Sequence, residues 1–392
     1  MKKRFLRDIA EIQTGPFGSQ LHKEDYVDVG TPIVTVEHLG SRVFSEQNLP
    51  MVSDADKSRL SKYVLKKGDI VFSRVGSVDR CSFVDQKHDG WMFSGRCLRV
   101  RPSEEADPLF LYYFFCLNTT KEFVRSIAVG ATMPSINTKL LGEVEVVCPE
   151  IEEQRKIADI LSKIDDKIEE NQKINENLEQ QAQAIFANEF LSLESLPDGW
   201  KRGSLIDIAD YLNGLAMQKY RPAADEVGIP VLKIKELRQG CCDATCELCS
   251  PNIKTNYIIH DGDVIFSWSG SLLVDFWCGG TCGLNQHLFK VTSSEYDKWF
   301  YYAWTKHHLE RFIAVAADKA TTMGHIKRDE LSKAEVLIPN EADYNRIGSL
   351  LHPIYDLIIT NRIESKKLAE TRDTLLPKLM SGEIDISEVD YE

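Results

Sequence analysis

The chain has 392 residues, which is enough for two domains with connecting elements. Its 47 basic and 60 acidic residues give a net charge of -13, which excludes a surface that is basic throughout but permits a local basic groove. The basic first residues lack the apolar stretch of a signal peptide, and the longest apolar run, residues 109–117, is too short to cross a bilayer. We therefore expect a cytoplasmic protein whose ten cysteines stay reduced.

An internal repeat of about 190 residues organises the chain. In chain order, four segments of the first half have counterparts in the second: FLRDIAEIQTG from Phe5 and LIDIADYLNG from Leu205, GTPIVTVEHLG from Gly30 and GIPVLKIKELRQG from Gly228, KKGDIVFSRVGS from Lys66 and HDGDVIFSWSGS from His260, and ATMPSINTKLLGEVEVVCP from Ala131 and TTMGHIKRDELSKAEVLIP from Thr321. The apolar runs bounded by glycine and proline predict short strands. Each half also has an aromatic helix, from Pro108 and from Tyr296, whose rings we expect in the core. Strands mixed with few helices, without regular alternation, predict an α+β globule in each half.

Each half ends in a long polar helix, predicted over residues 152–189 and 343–378. Apolar residues recur there at alternating steps of four and three, which is typical of a coiled-coil seam. The seam positions are Ile157, Leu161, Ile164, Ile168, Asn171, Asn175, Leu178, Ala182 and Ile185 in the first helix, and Ile347, Leu351, Ile354, Ile358, Asn361, Ser365, Leu368, Arg372 and Leu375 in the second. Because a polar helix is stabilised mainly by packing its apolar stripe, we expect the two helices to pack on each other.

Two residues of these helices carry further predictions. Asn171 and Asn361 occupy the same repeat position, and an asparagine inside a seam fixes register when its amide finds a partner, so we predict that these two amides pair. Pro353 lacks a backbone N–H, so we predict that it kinks the second helix or marks its true start.

Catalytic signatures are missing from the sequence. It contains no GxxxxGK[ST] phosphate-binding loop, no GxSxG or HExxH motif, no kinase set, and no Asn-Pro-Pro-aromatic or Asp-Pro-Pro-aromatic tetrapeptide of an amino-methylating DNA enzyme. Cys246 and Cys249 have the spacing of a zinc knuckle, but no second pair follows at a suitable distance, so we expect free cysteines and no metal. The chain is predicted to be non-catalytic.

The order of several segments resembles the specificity (S) subunit of type I restriction-modification enzymes. These segments are GPFGS, GDIVFSRVG, ATMPSIN and PEIEEQRKIADILSKIDDKIEENQ, then GDVIFSWSG, LNQHLFKV, TTM and a second long helix ending LLPKLMSGEI. The resemblance covers nearly the whole chain, and the element PxxEEQRKIAxIL from Pro149 is its most specific part. It implies a subunit that reads a bipartite, asymmetric site in double-stranded DNA and docks two modification (methyltransferase) subunits, joined by restriction (motor-nuclease) subunits in the full complex. It also implies that the methyltransferase subunits use S-adenosylmethionine to methylate adenine, and that this chain itself binds no cofactor.

The predicted architecture combines the repeat with this resemblance. We expect an α+β fold of two tandem, similar α/β target recognition domains, related by a pseudo-twofold internal repeat and joined by two long helices packed as an antiparallel coiled coil. The predicted segments are a first recognition domain over 1–150, a central helix over 151–192, a second recognition domain over 193–340, a C-terminal helix over 341–380 and a tail over 381–392.

Residues that contact DNA are predicted from loop chemistry. Phosphates attract cations and backbone N–H groups, whereas base edges pair with Arg, Asn and Gln, so loops that combine these residues with glycine after a strand are the candidates. The predicted DNA-binding residues are Ser19, Lys23, Arg74, Ser77, Arg80, Arg96, Thr132 and Asn137 in the first half, and Lys219, Lys233, Lys235, Ser269, Ser271, Asn285, Gln286, Thr322, His325 and Lys327 in the second. Arg74 and Trp268 share one repeat position, and their difference fits two different half-sites and neutral drift equally well.

Two other functions remain open at this point. A non-catalytic coiled-coil scaffold whose two globular domains bind proteins would fit the net acidity of the chain. An enzyme with an unrecognised site would need a metal at the cysteines around Cys246. DNA binding differs from the first alternative in losing affinity steeply with added salt.

Overall fold

The structure, a computed structural model, describes residues 2–318 and 328–386. The chain divides into two compact units: Met1–Asp166 with Glu370–Glu392 form the first unit, and Lys167–Ala369 form the second. Each unit holds one half of the repeat together with part of both long helices. The mixture of sheets and helices in each unit confirms the predicted α+β class.

The first unit contains short strands and helices before the long helix. Its strands are β1 (Lys2–Phe5), β2 (Ala10–Thr14), β3 (Tyr26–Val27), β4 (Thr31–Val34), β5 (Met51–Val52), β6 (Ile70–Ser73), β7 (Cys81–Phe83), β8 (Met92–Phe93), β9 (Cys97–Pro102) and β10 (Glu145–Cys148). Its helices are α1 (Leu6–Ile9), α2 (Asp54–Arg59), α3 (Pro108–Cys116), α4 (Asn118–Ser126), α5 (Thr138–Gly142) and the start of α6 (Ile151–Phe186). The order β2-β9-β6-β7 forms an antiparallel sheet, β3-β5-β4-β8 forms a smaller mixed sheet, and β1 pairs with β10.

The second unit repeats this plan. Its strands are β11 (Lys201–Ser204), β12 (Asp210–Asn213), β13 (Ile229–Leu232), β14 (Leu248–Cys249), β15 (Ile258–Ile259), β16 (Val264–Ser267), β17 (Leu273–Phe276), β18 (Cys282–Leu284), β19 (Leu288–Thr292) and β20 (Glu335–Ile338). Its helices are α7 (Leu205–Ile208), α8 (Ile234–Gln239), α9 (Lys298–His307), α10 (Leu309–Asp318), α11 (Asp329–Ser332) and most of α12 (Glu341–Ser381). The sheets are β12-β19-β16-β17, β14-β13-β18-β15 and the pair β11-β20, so the repeat predicted from sequence is present.

A Gly-Asp turn precedes the central strand of each antiparallel sheet. Gly68 has a φ of +90°, which favours glycine. Asp69 is buried and accepts from the Arg101 guanidinium at 2.6 Å, while Asp263 lies 2.8 Å from the Lys290 ammonium. The cation on the neighbouring strand therefore compensates a carboxylate at the same place in both units. The strands that follow, β6 and β16, are completely buried.

The aromatic helices α3 and α9 belong to the cores, as predicted. In the first unit, Phe115 of α3 meets Phe72 edge to face with ring centroids 4.6 Å apart. In the second, Tyr302 of α9 stacks on Phe276 at 3.9 Å. Such pairs favour one packing arrangement beyond the area they bury, so these rings support the sheet and are not a platform for bases.

The long helices α6 and α12 pack through the predicted seam. Within the second unit, Asn361 donates to the Asn175 side-chain oxygen at 2.9 Å, and Asn171 donates to the Ser365 hydroxyl at 3.3 Å. From Asn171 to Asn175 the residue number rises along α6, while the bonded residue on α12 falls from Ser365 to Asn361. The two helices are therefore antiparallel. None of the predicted seam residues is exposed, and Ile157, Leu161, Ile347, Leu351 and Ile358 are almost completely buried.

The predicted pairing of Asn171 with Asn361 is wrong. Asn171 donates instead to Glu364 at 2.7 Å and to Ser365, and Asn361 pairs with Asn175. The reason is the antiparallel direction of the helices. Asn171 faces Ser365, and Asn361 faces Asn175, so the two equivalent asparagines lie one helical turn apart along the seam. The buried amides still bond across the seam, but with the neighbouring turn.

The structure excludes one of the two alternatives predicted for Pro353. The helix α12 begins at Glu341 and runs through Pro353 to Ser381, so Pro353 does not mark its start. A proline removes one backbone donor, and the packing of a long apolar seam on both sides of it offsets that loss.

Candidate nucleic-acid interface

Four loops of the first unit meet at one end of its antiparallel sheet, and we call them the first loop cluster: residues 15–18, 74–80, 94–96 and 129–137. The Arg74 amide donates to the Arg96 carbonyl at 2.8 Å, and the Ile136 amide donates to the Arg74 carbonyl at 2.9 Å. The Gly76 amide donates to the Pro134 carbonyl at 2.8 Å. A Cβ on Gly15 would lie 2.1 Å from the Ser94 carbonyl oxygen, so glycine is needed for the close approach of these loops.

The arginines without an ion-pair partner collect in this cluster. Of the eleven arginines among described residues 2–166, eight pair with a carboxylate, and the three that do not are Arg74, Arg80 and Arg96. Arg96 is exposed, and the Arg80 guanidinium donates to the Leu39 carbonyl. Guanidinium groups without an internal carboxylate are available to phosphate oxygens or base edges. All three were predicted from the sequence.

The other predicted residues of the first half occupy different settings. Ser77 and Arg80 line a cleft of about 470 Å³ that also includes Arg125, whose charge is paired with Asp79 at 3.0 Å. Thr132 is exposed in the 129–137 loop. Asn137 caps α5, because its side chain accepts from the Leu140 amide at 2.9 Å, so part of its hydrogen-bonding capacity is already used. Ser19 and Lys23 lie in short 3-10 turns, Gly18–Gln20 and Lys23–Asp25.

The second unit has an equivalent arrangement, the second loop cluster, formed by residues 213–216, 268–272 and 285–287. The Gly214 amide donates to the Leu288 carbonyl at 3.0 Å, and a Cβ on Gly214 would lie 2.2 Å from the Asn285 carbonyl oxygen. The Trp268 indole donates to the Asn213 side chain at 3.0 Å. The same close approach as at Gly15 therefore supports a cluster with different side chains.

Two predicted residues of this cluster have a structural role. Ser269 and Asn285 are both buried. The Ser269 hydroxyl lies 3.1 Å from Nδ1 of His287, and the Asn285 side chain accepts from the His287 amide at 3.2 Å. Gln286, whose Nε2 is 3.3 Å from His287 Nε2, is half-buried and remains accessible at the surface of the cluster.

The predicted lysines of the second half differ in their charge balance. Lys233 pairs with Glu247 at 2.7 Å and Lys235 with Asp243 at 3.2 Å, so carboxylates already compensate both ammonium groups. Lys219 is exposed at the end of the turn Met217–Lys219. Ser271 is exposed, and its carbonyl accepts from the Ser267 hydroxyl at 2.9 Å. The predicted residues Thr322, His325 and Lys327 lie outside the described residues.

Sequence reasoning missed Phe17 and His287. The Phe17 side chain is 62% exposed in the first loop cluster, although it is large and apolar. His287 occupies the place in the second cluster that Arg96 has in the first, because Gly214 and Gly15 bond to the residues that follow them, Leu288 and Cys97. Aligning GPFG from Gly15 with GLAM from Gly214, and GRC from Gly95 with QHL from Gln286, would have drawn attention to both residues.

The cysteines of the second unit do not form a cluster suited to a metal. Cys242 and Cys282 have sulfur atoms 3.5 Å apart, and Cys246 lies 3.8 Å from a Glu236 carboxylate oxygen. Burial raises the pKa of the Cys246 thiol to about 11, so the free side chain is a thiol at neutral pH. In the part of the chain that the structure describes, no group of three or more His, Cys, Asp or Glu side chains could hold a metal ion. Nor does any helix there combine the length and apolar character needed to cross a membrane.

A repeated fold with a polar loop cluster in each unit is the arrangement expected of a protein that recognises nucleic acid with two units. A family model described as the type I restriction modification DNA specificity domain matches residues 1–180 and 197–370, and the chain belongs to this family. The family predicted from the sequence segments is thereby confirmed.

Individual relatives agree over most of their length. The chain is 26% identical to the type I restriction enzyme MjaIX specificity subunit of Methanocaldococcus jannaschii, over 98% of this chain and 93% of that protein. It is 23% identical to the HindI specificity subunit of Haemophilus influenzae, over 83% and 88%. The crystal structure of a type I restriction-modification S subunit from M. genitalium matches with a TM-score of 0.61 at 17% identity, covering 96% of this chain and 95% of that one, which supports the fold.

Proposed function

We propose that this chain is the DNA-recognition subunit of a type I restriction-modification complex. Each unit reads one half of a bipartite, asymmetric site in double-stranded DNA, and the chain docks two modification (methyltransferase) subunits and, in the full complex, restriction (motor-nuclease) subunits. The observation that carries the proposal is that the DNA specificity family matches both halves of the chain, residues 1–180 and 197–370.

The loop clusters support this role chemically. Arg74, Arg80 and Arg96 are cations without internal carboxylate partners among the described residues, and they lie on loops that meet at one end of a sheet. Such loops suit phosphate oxygens and base edges. The second cluster offers indole, imidazole and amide groups in the equivalent place, so the two units present different chemistry, as an asymmetric site requires.

The catalytic steps belong to the partner subunits in this proposal. The sequence contains no recognised catalytic motif, so the chain itself is non-catalytic and supplies binding and positioning. S-adenosylmethionine would be bound by the methyltransferase subunits, which would methylate adenine within the site. Action on cellular DNA would place the complex in the cytoplasm.

The first experiment is to purify the chain with its cognate methyltransferase subunit and to sequence the methylated adenines in DNA that the complex has modified. We expect one interrupted, asymmetric motif. Absence of both a complex and adenine methylation would contradict the proposal.

A pair of variants tests the role of the first loop cluster. Arg96→Ala should weaken DNA binding at all sequences and lower the slope of log affinity against log salt by about 1, because one phosphate contact is lost. Arg7→Ala is the matched control, since Arg7 is also an accessible arginine of the first unit but pairs with Glu143 outside the cluster. Equal salt slopes for Arg96→Ala and the unmodified complex would remove Arg96 from the interface.

A further inference from the structure

One arginine of the first loop cluster is held in place by the protein itself. The Arg74 amide donates to the Arg96 carbonyl at 2.8 Å, and its carbonyl accepts from the Ile136 amide at 2.9 Å. Its Nη1 donates to the Gly95 carbonyl at 3.1 Å. Backbone and side chain are therefore both fixed, which lowers the entropy lost when the guanidinium binds a ligand.

An exposed aromatic ring lies beside this guanidinium. The Phe17 side chain is 62% exposed, and its ring centre is 5.9 Å from the guanidinium carbon of Arg74. The approach depends on Gly95, because a Cβ there would lie 2.9 Å from the Phe17 Cβ. Arg74 has no carboxylate partner among the residues that the structure describes, and the exposed Phe17 ring lies next to it. The two side chains can therefore offer a ligand one polar and one apolar contact side by side.

The chemistry of this pair fits a base step in the major groove. A guanidinium has several N–H donors in one plane, and the bond to Gly95 uses only one of them. The remaining donors match O6 and N7 of guanine, which is the most frequent specific contact of arginine, whereas a phenylalanine ring matches the methyl group of thymine. A phosphate would use the charge of Arg74 but not the ring.

The second unit does not repeat this pair. Trp268 stands where Arg74 does, and the single N–H of its indole is donated to Asn213 at 3.0 Å. Ala216 stands where Phe17 does, two residues after Gly214, whose close approach to a backbone carbonyl matches that of Gly15. A bidentate contact to guanine is therefore unavailable at this position of the second unit.

We propose that Arg74 and Phe17 form a base-reading pair of the first unit, in which Arg74 binds O6 and N7 of a guanine and Phe17 contacts the methyl group of an adjacent thymine. This inference rests on the proposed function and adds the identity of two bases in one half-site. It predicts a guanine next to a thymine in the half-site of the first unit.

The test uses the complete complex with the methyltransferase subunits and duplexes that carry the methylated motif. Each guanine is replaced in turn by 7-deazaguanine, which lacks the N7 acceptor, and each thymine by deoxyuridine, which lacks the methyl group. For one guanine we expect binding to weaken about 5- to 150-fold, and for the neighbouring thymine about fourfold, as for one buried methyl-sized group. Arg74→Ala should abolish the effect of 7-deazaguanine, and Phe17→Ala that of deoxyuridine.

Two variants keep the test decisive. Arg96→Ala, from the same cluster, should weaken binding while retaining both analogue effects. Arg74→Gln keeps a donor for the Gly95 carbonyl and should bind a duplex with adenine in place of that guanine better than Arg74→Ala does, because an amide pairs with N6 and N7 of adenine. Analogue effects that persist in Arg74→Ala, or a motif without guanine, would overturn the inference but leave the proposed function intact. Failure of the unmodified complex to bind or methylate DNA would overturn the proposed function itself.

Discussion

The two loop clusters share a scaffold and differ at their tips. Gly15 and Gly214 each allow one loop to touch the backbone of the next, with a space too small for a Cβ. At the tips, Arg74 and Arg96 in the first unit correspond to Trp268 and His287 in the second. The comparison teaches that backbone contacts fix where the loops lie, while the side chains above them are free to differ. A chain can thereby read two unlike half-sites with one fold.

The units also differ in how they hold the long helices. In the first unit, Asp165 of α6 is buried and accepts from Arg372 of α12 at 2.6 Å and from the Tyr113 hydroxyl at 2.7 Å. Burial raises the pKa of Tyr113, so its hydroxyl remains a donor. In the second unit, Arg362 bonds to Glu179 at 2.8 Å and to Asp275 at 2.6 Å, and all three side chains are partly exposed. Because its carboxylate is buried, we expect the first unit to lose more stability than the second when the arginine partner is removed.

The largest expected loss of stability is that of a variant at Arg372. Arg372→Leu leaves Asp165, whose side chain is only 7% exposed, with Tyr113 but without its ion pair to Arg372, and should destabilise the first unit by about 3 kcal/mol. Arg362→Leu is the matched variant in the second unit, and we expect a smaller loss because water reaches its partners. Hydrogen exchange of amides in α3 and in α9 reports each unit separately. Equal losses would show that the burial of Asp165 does not set the difference.

A smaller effect is expected at the amide pair of the second unit. Asn361→Leu removes the partner of the Asn175 side-chain oxygen, which is buried, and should cost about 1–2 kcal/mol. Replacing both asparagines by Leu should restore or exceed the original stability, since an apolar pair suits the seam, while register control is lost. Thermal unfolding of the two single variants and the double variant measures the coupling. Strictly additive losses would contradict a direct bond between the two amides.

Sequence alone predicted the features that depend on local chemistry and period. The strands after the Gly-Asp turns at Gly68 and Gly262, the aromatic core helices and the paired long helices follow from turn residues and apolar spacing. The pairing of Asn171 did not follow, because a repeat reveals which positions are equivalent and not which positions touch. Only the antiparallel packing brings Asn175 to Asn361.

The candidate interface also contains some features that the sequence predicts and others that it does not. The place of Arg74, Arg80 and Arg96 in one loop cluster was predictable, because each lies near a glycine after a strand. The ion pairs of Lys233 with Glu247 and Lys235 with Asp243 were not, since they depend on a chain reversal that brings the carboxylates back. Phe17 was missed because a large apolar residue is ordinarily placed in the core, whereas this ring is 62% exposed on a loop that packs against Gly95.

The smallest effect is a pH dependence of the second unit that arises from His308. Burial lowers the pKa of His308, although its Nε2 lies 2.8 Å from the Glu335 carbonyl oxygen, and the charge of Arg311 adds to the lowering. The unfolded chain therefore takes up a proton more readily than the folded chain. The contribution of neutral His308 to stability is fully present above about pH 6.5, the ordinary pKa of an imidazole. It is lost as the pH falls from that value toward the lower pKa of the folded state.

The variant His308→Gln separates this contribution from other acid effects. It keeps a donor for the Glu335 carbonyl but cannot titrate, so the loss of stability of the second unit below pH 6.5 should become shallower. His260→Gln is the control, because His260 is an exposed histidine of the second unit. The measurement is hydrogen exchange of β11 and β20, corrected for the intrinsic pH dependence of exchange. Unchanged slopes in His308→Gln would place the acid sensitivity of the second unit elsewhere, and an equal change in the first unit would remove the distinction between the two.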